Sequence, residues 1–254
     1  MDKPLSGQVA FITGASGGLG LRFARILSAA GASVALAARR TERIESEAEG
    51  LRSTGARALS VTLDVSDAAA IGPALDQAEG ILGPISIMVN NAGIGGVGMA
   101  LEVPVDVWDE TFAVNVRAVF LGCREAAKRM LASGVAERGD ARIINIASIG
   151  AHTVLPGLSA YTSSKAAVAM MTRTLAREWA RPGIAVNALC PGYIDTDING
   201  GWFETEAGQK QMKGFPRRRL MEAYGLDDAI LMLAGPGARA ITGSVITLDD
   251  GQTL

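Results

Sequence analysis

The sequence predicts an α/β fold, a seven-stranded doubly wound parallel sheet with helices on both faces. Three observations predict it. Short aliphatic and β-branched runs alternate with longer helix-forming stretches along the whole chain. A glycine-punctuated turn, Thr13-Gly14-Ala15-Ser16-Gly17-Gly18-Leu19-Gly20, joins the first run to the first helical stretch. No linker, internal repeat or low-complexity segment divides the 254 residues, so residues 1–254 are expected to form a single domain.

The elements follow in order. Residues 9–13 (Val-Ala-Phe-Ile-Thr) read as a strand and 19–30 as a helix; 33–38 (Ser-Val-Ala-Leu-Ala-Ala) is the second strand, and the charge-rich 41–53 the second helix. Strand 58–63 and helix 67–82 come next, then strand 85–90 and one long helix over 105–132. Strand 142–147, helix 161–180, strand 185–189, helix 226–233 and strand 244–248 complete the alternation. Right-handed crossovers between parallel strands place helices on both faces, and ligands then bind outside the carboxyl ends of the strands. Residues 191–219 resist assignment: Gly200, Gly201, Gly208 and Gly214 lie among Trp202, Phe203 and Phe215. A connection that long in a compact domain is usually functional, and we read it as a substrate lid rather than a surface excursion with a short helix.

Bulk composition narrows the partners. With 48% hydrophobic residues the chain can bury a large core, and a net charge of −2 gives no electrostatic case for nucleic acid or an anionic membrane surface. No apolar run approaches the roughly 18 residues of a membrane span, and Met1-Asp2-Lys3-Pro4 is not the start of a signal peptide, so a cytoplasmic protein acting on a small molecule is expected. Cys123 and Cys190 have neither metal-ligand spacing nor a disulfide framework, and the single histidine, His152, cannot build a metal centre; no metal site is expected.

The glycine turn points to a dinucleotide. Gly14, Gly18 and Gly20 sit where the chain must turn sharply and let backbone approach an anion, and Leu19 opens a helix whose free N–H groups favour pyrophosphate. The turn follows a strand, precedes a helix and stands about 20 residues upstream of a second strand, the context of a Rossmann fingerprint with altered glycine spacing. Gly14, Ser16, Gly18, Leu19 and Gly20 are its candidate contacts. At the end of the second strand Ala38 offers no carboxylate for a ribose hydroxyl, whereas Arg39 and Arg40 offer cations suited to a 2′-phosphate, so NADP(H) is favoured over NAD(H). Gly17 argues the other way, because it lacks the basic side chain that often helps grip that phosphate. Asp64, beside Val65 after the third strand, is a candidate acceptor for the adenine amino group, with helix capping as its competing role.

Tyr161 and Lys165 stand at i and i+4, hence on one face of a helix. A free phenol titrates near 10, so proton transfer at neutral pH needs a depression worth about 3–4 kcal/mol. A neighbouring ammonium together with an oxidised nicotinamide could supply it in a partly desolvated site.

Taken together, the chain resembles the short-chain dehydrogenase/reductase family over essentially its whole length. The likeness rests on the turn from Thr13 to Gly20, Asn90-Asn91-Ala92-Gly93, Asn115, Ser148, Tyr161 with Lys165, and Pro191-Gly192-Tyr193-Ile194-Asp195-Thr196. The resemblance implies a catalytic tetrad. Ser148 would polarise a substrate carbonyl, Tyr161 would act as the acid/base, Lys165 would tune Tyr161 and hold the nicotinamide ribose, and Asn115 would hold a water linking Lys165 to solvent. It further implies that Asn91, Ala92 and Gly93 shape the ribose site and that Ile194 and Thr196 face the nicotinamide. The implied activity is interconversion of a ketone and a secondary alcohol. The alternative is a non-catalytic dinucleotide-binding regulator, disfavoured because all four tetrad members are present. His152, Val154, Leu155, Tyr193, Trp202 and Phe203 are candidate pocket walls, and the family expectation for assembly is a homotetramer or dimer. Two departures stand near the C-terminus: Met221-Glu222-Ala223 where Gly-x-Pro is common, and Asp249-Asp250-Gly251 where two glycines often follow an aspartate. The Arg217-Arg218-Arg219 run is read as solvated or interfacial.

Overall fold

The structure, a computed structural model, describes residues 3–199 and 201–254; Met1, Asp2 and Gly200 lie outside the described residues. Seven strands form one parallel sheet: β1 (Val9–Thr13), β2 (Ser33–Ala38), β3 (Ala58–Thr62), β4 (Ile87–Asn90), β5 (Ala141–Ile146), β6 (Ile184–Pro191) and β7 (Val245–Leu248). Their order is β3-β2-β1-β4-β5-β6-β7, every neighbouring pair parallel. The winding reverses between β1 and β4, and the crevice opened there at the carboxyl edge is where such sheets take nucleotides. The expected doubly wound fold is the observed one.

Alternation along the strands divides the core in two. In β1, Val9 and Phe11 join one buried cluster while Ala10 and Ile12 join the other. The first cluster is completed by helices α3 (Ile71–Leu82), α5 (Ala118–Ala132) and α6 (Ser159–Trp179), through Leu75, Met130 and Val168 among others. The second is completed by α1 (Gly18–Ala29), α2 (Thr41–Ser53) and α8 (Asp227–Ala234), through Phe23, Ile44 and Leu233. Phe11 and Phe23 are wholly buried, and truncating either to alanine would cost about 3–5 kcal/mol.

Two helices depart from expectation. Helix α3 begins at Ile71 rather than at residue 67. Pro73 explains it: proline has no N–H to donate and its ring clashes with the preceding turn, so it is tolerated only in the first turn of a helix. The stretch 105–132 is a helix interrupted once, α4 (Val105–Phe112) passing into a π turn over Ala113–Arg117 before α5 resumes. The unassigned stretch 191–219 carries its own short helix, α7 (Glu206–Gly214), capped by Thr205, whose Oγ1 accepts from Gly208 N at 3.1 Å. Among the described residues no helix is long and apolar enough to cross a membrane, and no cluster of histidine, cysteine or acidic residues could hold a metal.

Candidate active site

The glycine turn lies at the carboxyl end of β1 and is braced by β4. Thr13 Oγ1 accepts from the backbone N–H groups of Asn91 and Ala92, each at 3.0 Å, and Asn91 Nδ2 donates to Thr13 O at 3.0 Å. The turn and the Asn91-Ala92-Gly93 segment are thereby held as one unit. Gly14 has φ 68°, and a Cβ on it would stand 2.9 Å from Ala92 Cα, so both conformation and space demand glycine there. Gly18, exposed with φ 51°, would meet only Thr196 Cγ2, at 3.9 Å. Thr196 therefore faces the turn across a cleft whose walls include Gly18, Leu19, Arg22, Asp195 and Thr196. This bare backbone at the start of α1, opening on a cleft, fits a pyrophosphate.

Ser16 is buried and its Oγ accepts from Arg40 Nε at 3.0 Å; Arg39 is exposed. Asp64 Oδ1 accepts from Ser66 N at 2.9 Å and from Ser66 Oγ at 2.7 Å. These bonds, with the nearby Arg39 charge, hold its carboxyl below the usual range. One carboxylate oxygen thus closes a local turn, well short of the start of α3, so Asp64 is not a helix cap. Val65 packs beside it against the first cluster.

The four residues expected to form a tetrad converge on the carboxyl edge of β4 and β5. Ser148 follows β5; its Oγ accepts from Gly150 N at 3.0 Å at the head of a 3-10 turn. Tyr161 and Lys165 share a face of α6, with Lys165 Nζ 5.6 Å from the centre of the Tyr161 ring. Lys165 is buried, and its ammonium donates to Ile146 O at 2.9 Å. A Cβ on Gly93 would stand 3.4 Å from both Lys165 Nζ and Asn115 Oδ1, so this glycine leaves room where the two side chains meet.

Burial pushes the Tyr161 phenol up, with the Ser148 hydroxyl opposing the rise. Lys165 is itself pushed down to about 8 by burial, which weakens it as a source of positive charge. The side chain of Asn115 is held by its neighbours. Its Nδ2 donates to Ile94 O at 2.8 Å and to Ser164 Oγ at 3.0 Å, and its Oδ1 accepts from Ile94 N at 2.9 Å. Set in the π turn, Asn115 ties the loop after β4 to α6 through both amide protons and its Oδ1.

The expected pocket walls separate. Tyr193 packs with Phe203 and Phe215, ring centres 5.1 and 5.7 Å away, so Phe203 belongs to a small aromatic core of the 191–219 segment. His152 and Val154 are exposed, the His152 ring lying 3.4 Å from Thr247 Oγ1. Trp202 is partly exposed and donates to Gln211 Oε1 at 2.7 Å. Ile194 is buried and bridges Met221, fixing the base of the segment beside Thr196. Sequence reasoning missed Thr13 as a brace; its place as last residue of β1, directly before the turn, was the available signal.

A parallel sheet with a glycine-lined nucleotide crevice and a Tyr–Lys pair at the same edge defines a dinucleotide-binding oxidoreductase. The family model of short chain dehydrogenase matches residues 8–207, and the chain belongs to that family. It is 35% identical over 251 residues to a 2-(R)-hydroxypropyl-CoM dehydrogenase of Xanthobacter autotrophicus, covering 97% of this chain and 98% of that one. A galactitol 2-dehydrogenase of Cereibacter sphaeroides is 36% identical, with 98% and 96% covered. Among solved structures, a gluconate 5-dehydrogenase from Burkholderia cenocepacia in complex with NADP and tartrate superposes with a TM-score of 0.92 at 33% identity, covering 99% of this chain and 98% of that one.

Proposed function

We propose that this protein interconverts a ketone and a secondary alcohol using NADP(H), with Tyr161 as the general acid/base. The observation that carries the reading is the meeting of Tyr161, Lys165 and Ser148 beside Gly93, at the edge where the glycine turn opens its cleft. When bound, the nicotinamide dinucleotide supplies or accepts the hydride. Gly14, Ser16, Gly18, Leu19 and Gly20 would hold its pyrophosphate, Asn91 to Gly93 its ribose, Asp64 and Val65 its adenine, and Ile194 and Thr196 its nicotinamide end.

Ser148 donates a hydrogen bond to the substrate oxygen and stabilises the charge that develops there. Tyr161 delivers a proton to that oxygen during reduction and removes it during oxidation. Burial raises its phenol, and the positive charge of an oxidised nicotinamide, when bound, would favour the phenolate. Asn115 is a positioning residue that locks Ile94 and Ser164 around the pair. Residues 191–219 form the lid over the substrate, hinged where Ile194 meets Met221. Exposed Phe120 on α5 and Met170 on α6 support assembly into a homo-oligomer, a dimer or a tetramer.

The test is a panel of ketones with NADPH, following cofactor absorbance, together with Tyr161→Phe. The variant loses at least about 100-fold in turnover, the scale of a general acid, while binding NADPH within about threefold of wild type. Surviving activity in Tyr161→Phe removes the tyrosine from its role; tight NADPH binding without turnover on any carbonyl favours a non-catalytic regulator.

A further inference from the structure

Three connections frame the catalytic edge, and they are stitched into one rim. From Gly93, which stands beside Lys165, the chain after β4 runs outward through Ile94, Val97 and Met99. Gly98 N donates to Gly157 O at 2.8 Å, and Gly98 pairs in parallel with Leu158, so this stretch lies along the connection that follows Ser148. A Cβ on Gly157 would stand 3.9 Å from Met99 Sδ, which places the thioether against that connection. On the other side, a Cβ on Gly95 would stand 3.8 Å from Ile198 O, so the 191–219 segment closes the same rim. Nearer the reacting groups, a Cβ on Gly150 would stand 3.5 Å from Ser148 Oγ and 3.3 Å from Leu155 Cδ1, so a single gap separates the serine hydroxyl from a leucine methyl.

The rim leaves its apolar side chains in water. Val97 is 74% exposed, Met99 59% and Ile198 44%. One exposed aliphatic residue needs no account, but several converging beside reacting groups mark a surface that a ligand covers. Charge points the same way. Stretches 94–99 and 149–158 contain no aspartate, glutamate, lysine or arginine, and the His152 ring lies 3.4 Å from Thr247 Oγ1. Among the described side chains of 191–199 the one carboxylate, Asp195, lines the glycine-turn cleft, while Arg217 and Arg219 are taken by Asp250. Two polar side chains bordering the rim are engaged with backbone, Thr162 donating to Leu158 O at 3.0 Å and Asn199 to Ile194 O at 2.6 Å.

We propose that the substrate is an uncharged ketone or secondary alcohol with an extended hydrocarbon chain, its oxygen between Ser148 and Tyr161 and its chain along Leu155, Ile198, Val97 and Met99. The proposal rests on the ketone–alcohol reading above and deepens it by assigning the substrate class. Val97, Met99 and Ile198 are then specificity-determining residues.

Steady-state kinetics on 2-alkanones from butanone to 2-decanone tests it, with fructose as the polyhydroxy ketone and 4-oxopentanoate as the anionic one. A methylene taken fully out of water is worth about fourfold in binding, and one laid on an open rim about twofold. In wild type kcat/KM therefore rises about two- to fourfold per methylene until the chain outruns the rim, and 2-octanone is preferred to both polar ketones. Met99→Glu and Val97→Asp, at positions where a carboxylate stays in water, flatten that rise; because the slope is read within each variant, a partial loss of folded enzyme cancels. A flat or falling slope in wild type, or preference for either polar ketone, overturns the proposal and leaves the ketone–alcohol reading standing. A wild-type slope that both variants leave unchanged overturns the assignment to this rim. If no ketone is turned over with NADPH or NADH, the ketone–alcohol reading itself falls and takes the proposal with it.

Discussion

Tyr161 and Lys165 are pushed toward neutrality from opposite sides, since burial raises the phenol and lowers the amine. The consequence for stability has a definite sign. Lys165 titrates at about 8 in the fold against 10.5 for the free group. Below pH 8 it carries its proton in both states, and the cost of burying the cation, about 3 kcal/mol, is felt in full. Between pH 8 and 10.5 the unfolded chain binds more protons than the folded one, so this group's contribution to stability rises; above 10.5 the penalty is gone. The buried thiols run the other way, Cys123 being pushed up to about 12, so the lysine must be isolated by difference. We expect the stability of wild type minus that of Lys165→Met, from urea unfolding, to be flat below pH 8 and to climb by up to about 3 kcal/mol toward pH 10.5. A difference that stays flat throughout means that no charge is being buried. The Tyr-x-x-x-Lys spacing made the pair legible in the sequence. The direction of its shifts was not, because desolvation depends on what packs around the pair rather than on the spacing.

Secondary structure was legible where periodicity and breakers agree and missed where one residue overrides the pattern. Pro73 moved the start of α3 although the apolar spacing runs on before it. The π turn at Ala113–Arg117 left no mark on the apolar pattern, because one widened turn changes hydrogen bonding while barely changing composition. In the 191–219 segment, Phe203 and Phe215 pack on Tyr193 and on each other, which the sequence pattern did not show. Its return is fastened by a departure from the family pattern. Asp250 takes Arg217 at 2.7 Å and Arg219 at 3.0 Å while its own backbone is left-handed, φ 54°, as is Arg218 at φ 52°. Exposed ion pairs are worth about 0.5 kcal/mol each, and relief of a left-handed aspartate returns about 1 kcal/mol, so the two nearly cancel. Asp250→Gly should therefore shift unfolding by less than about 1 kcal/mol, yet free both arginine side chains. Limited trypsin digestion should then cut at Arg217–Arg219 several times faster than in wild type. Equal cutting rates mean that the ion pairs do not restrain the segment.

Across the whole molecule, the two edges of the sheet carry different burdens. The carboxyl edge gathers the glycine turn, the Tyr–Lys pair and the base of the 191–219 segment. The amino edge holds Arg142, 2% exposed and, among the described residues, in no ion pair. Its guanidinium donates to Gly139 O at 2.9 Å, Ala141 O at 3.0 Å and Gly235 O at 3.3 Å, joining the start of β5 to the end of α8. Burial pulls this arginine below its ordinary range, but guanidinium starts so high that it keeps its charge at any working pH. Nothing in the sequence marks Arg142 as buried, since a lone arginine at the start of a strand is ordinarily solvated and only the chain returning at Gly235 covers it. Replacing it with methionine removes the cost of the buried cation; Gly139 O keeps Arg239 Nε at 3.1 Å and Gly235 O keeps Ala238 N at 3.1 Å, so the loss falls mainly on Ala141 O, about 1–3 kcal/mol. We expect Arg142→Met to lose about 1–2 kcal/mol in urea unfolding, with kcat per folded molecule unchanged, because the whole length of β5 separates it from Ser148. A variant as stable as wild type would mean that the Ala141 carbonyl finds water. A fall in kcat at full folding would mean that strain at the amino edge reaches Ser148, and that the edges are not independent.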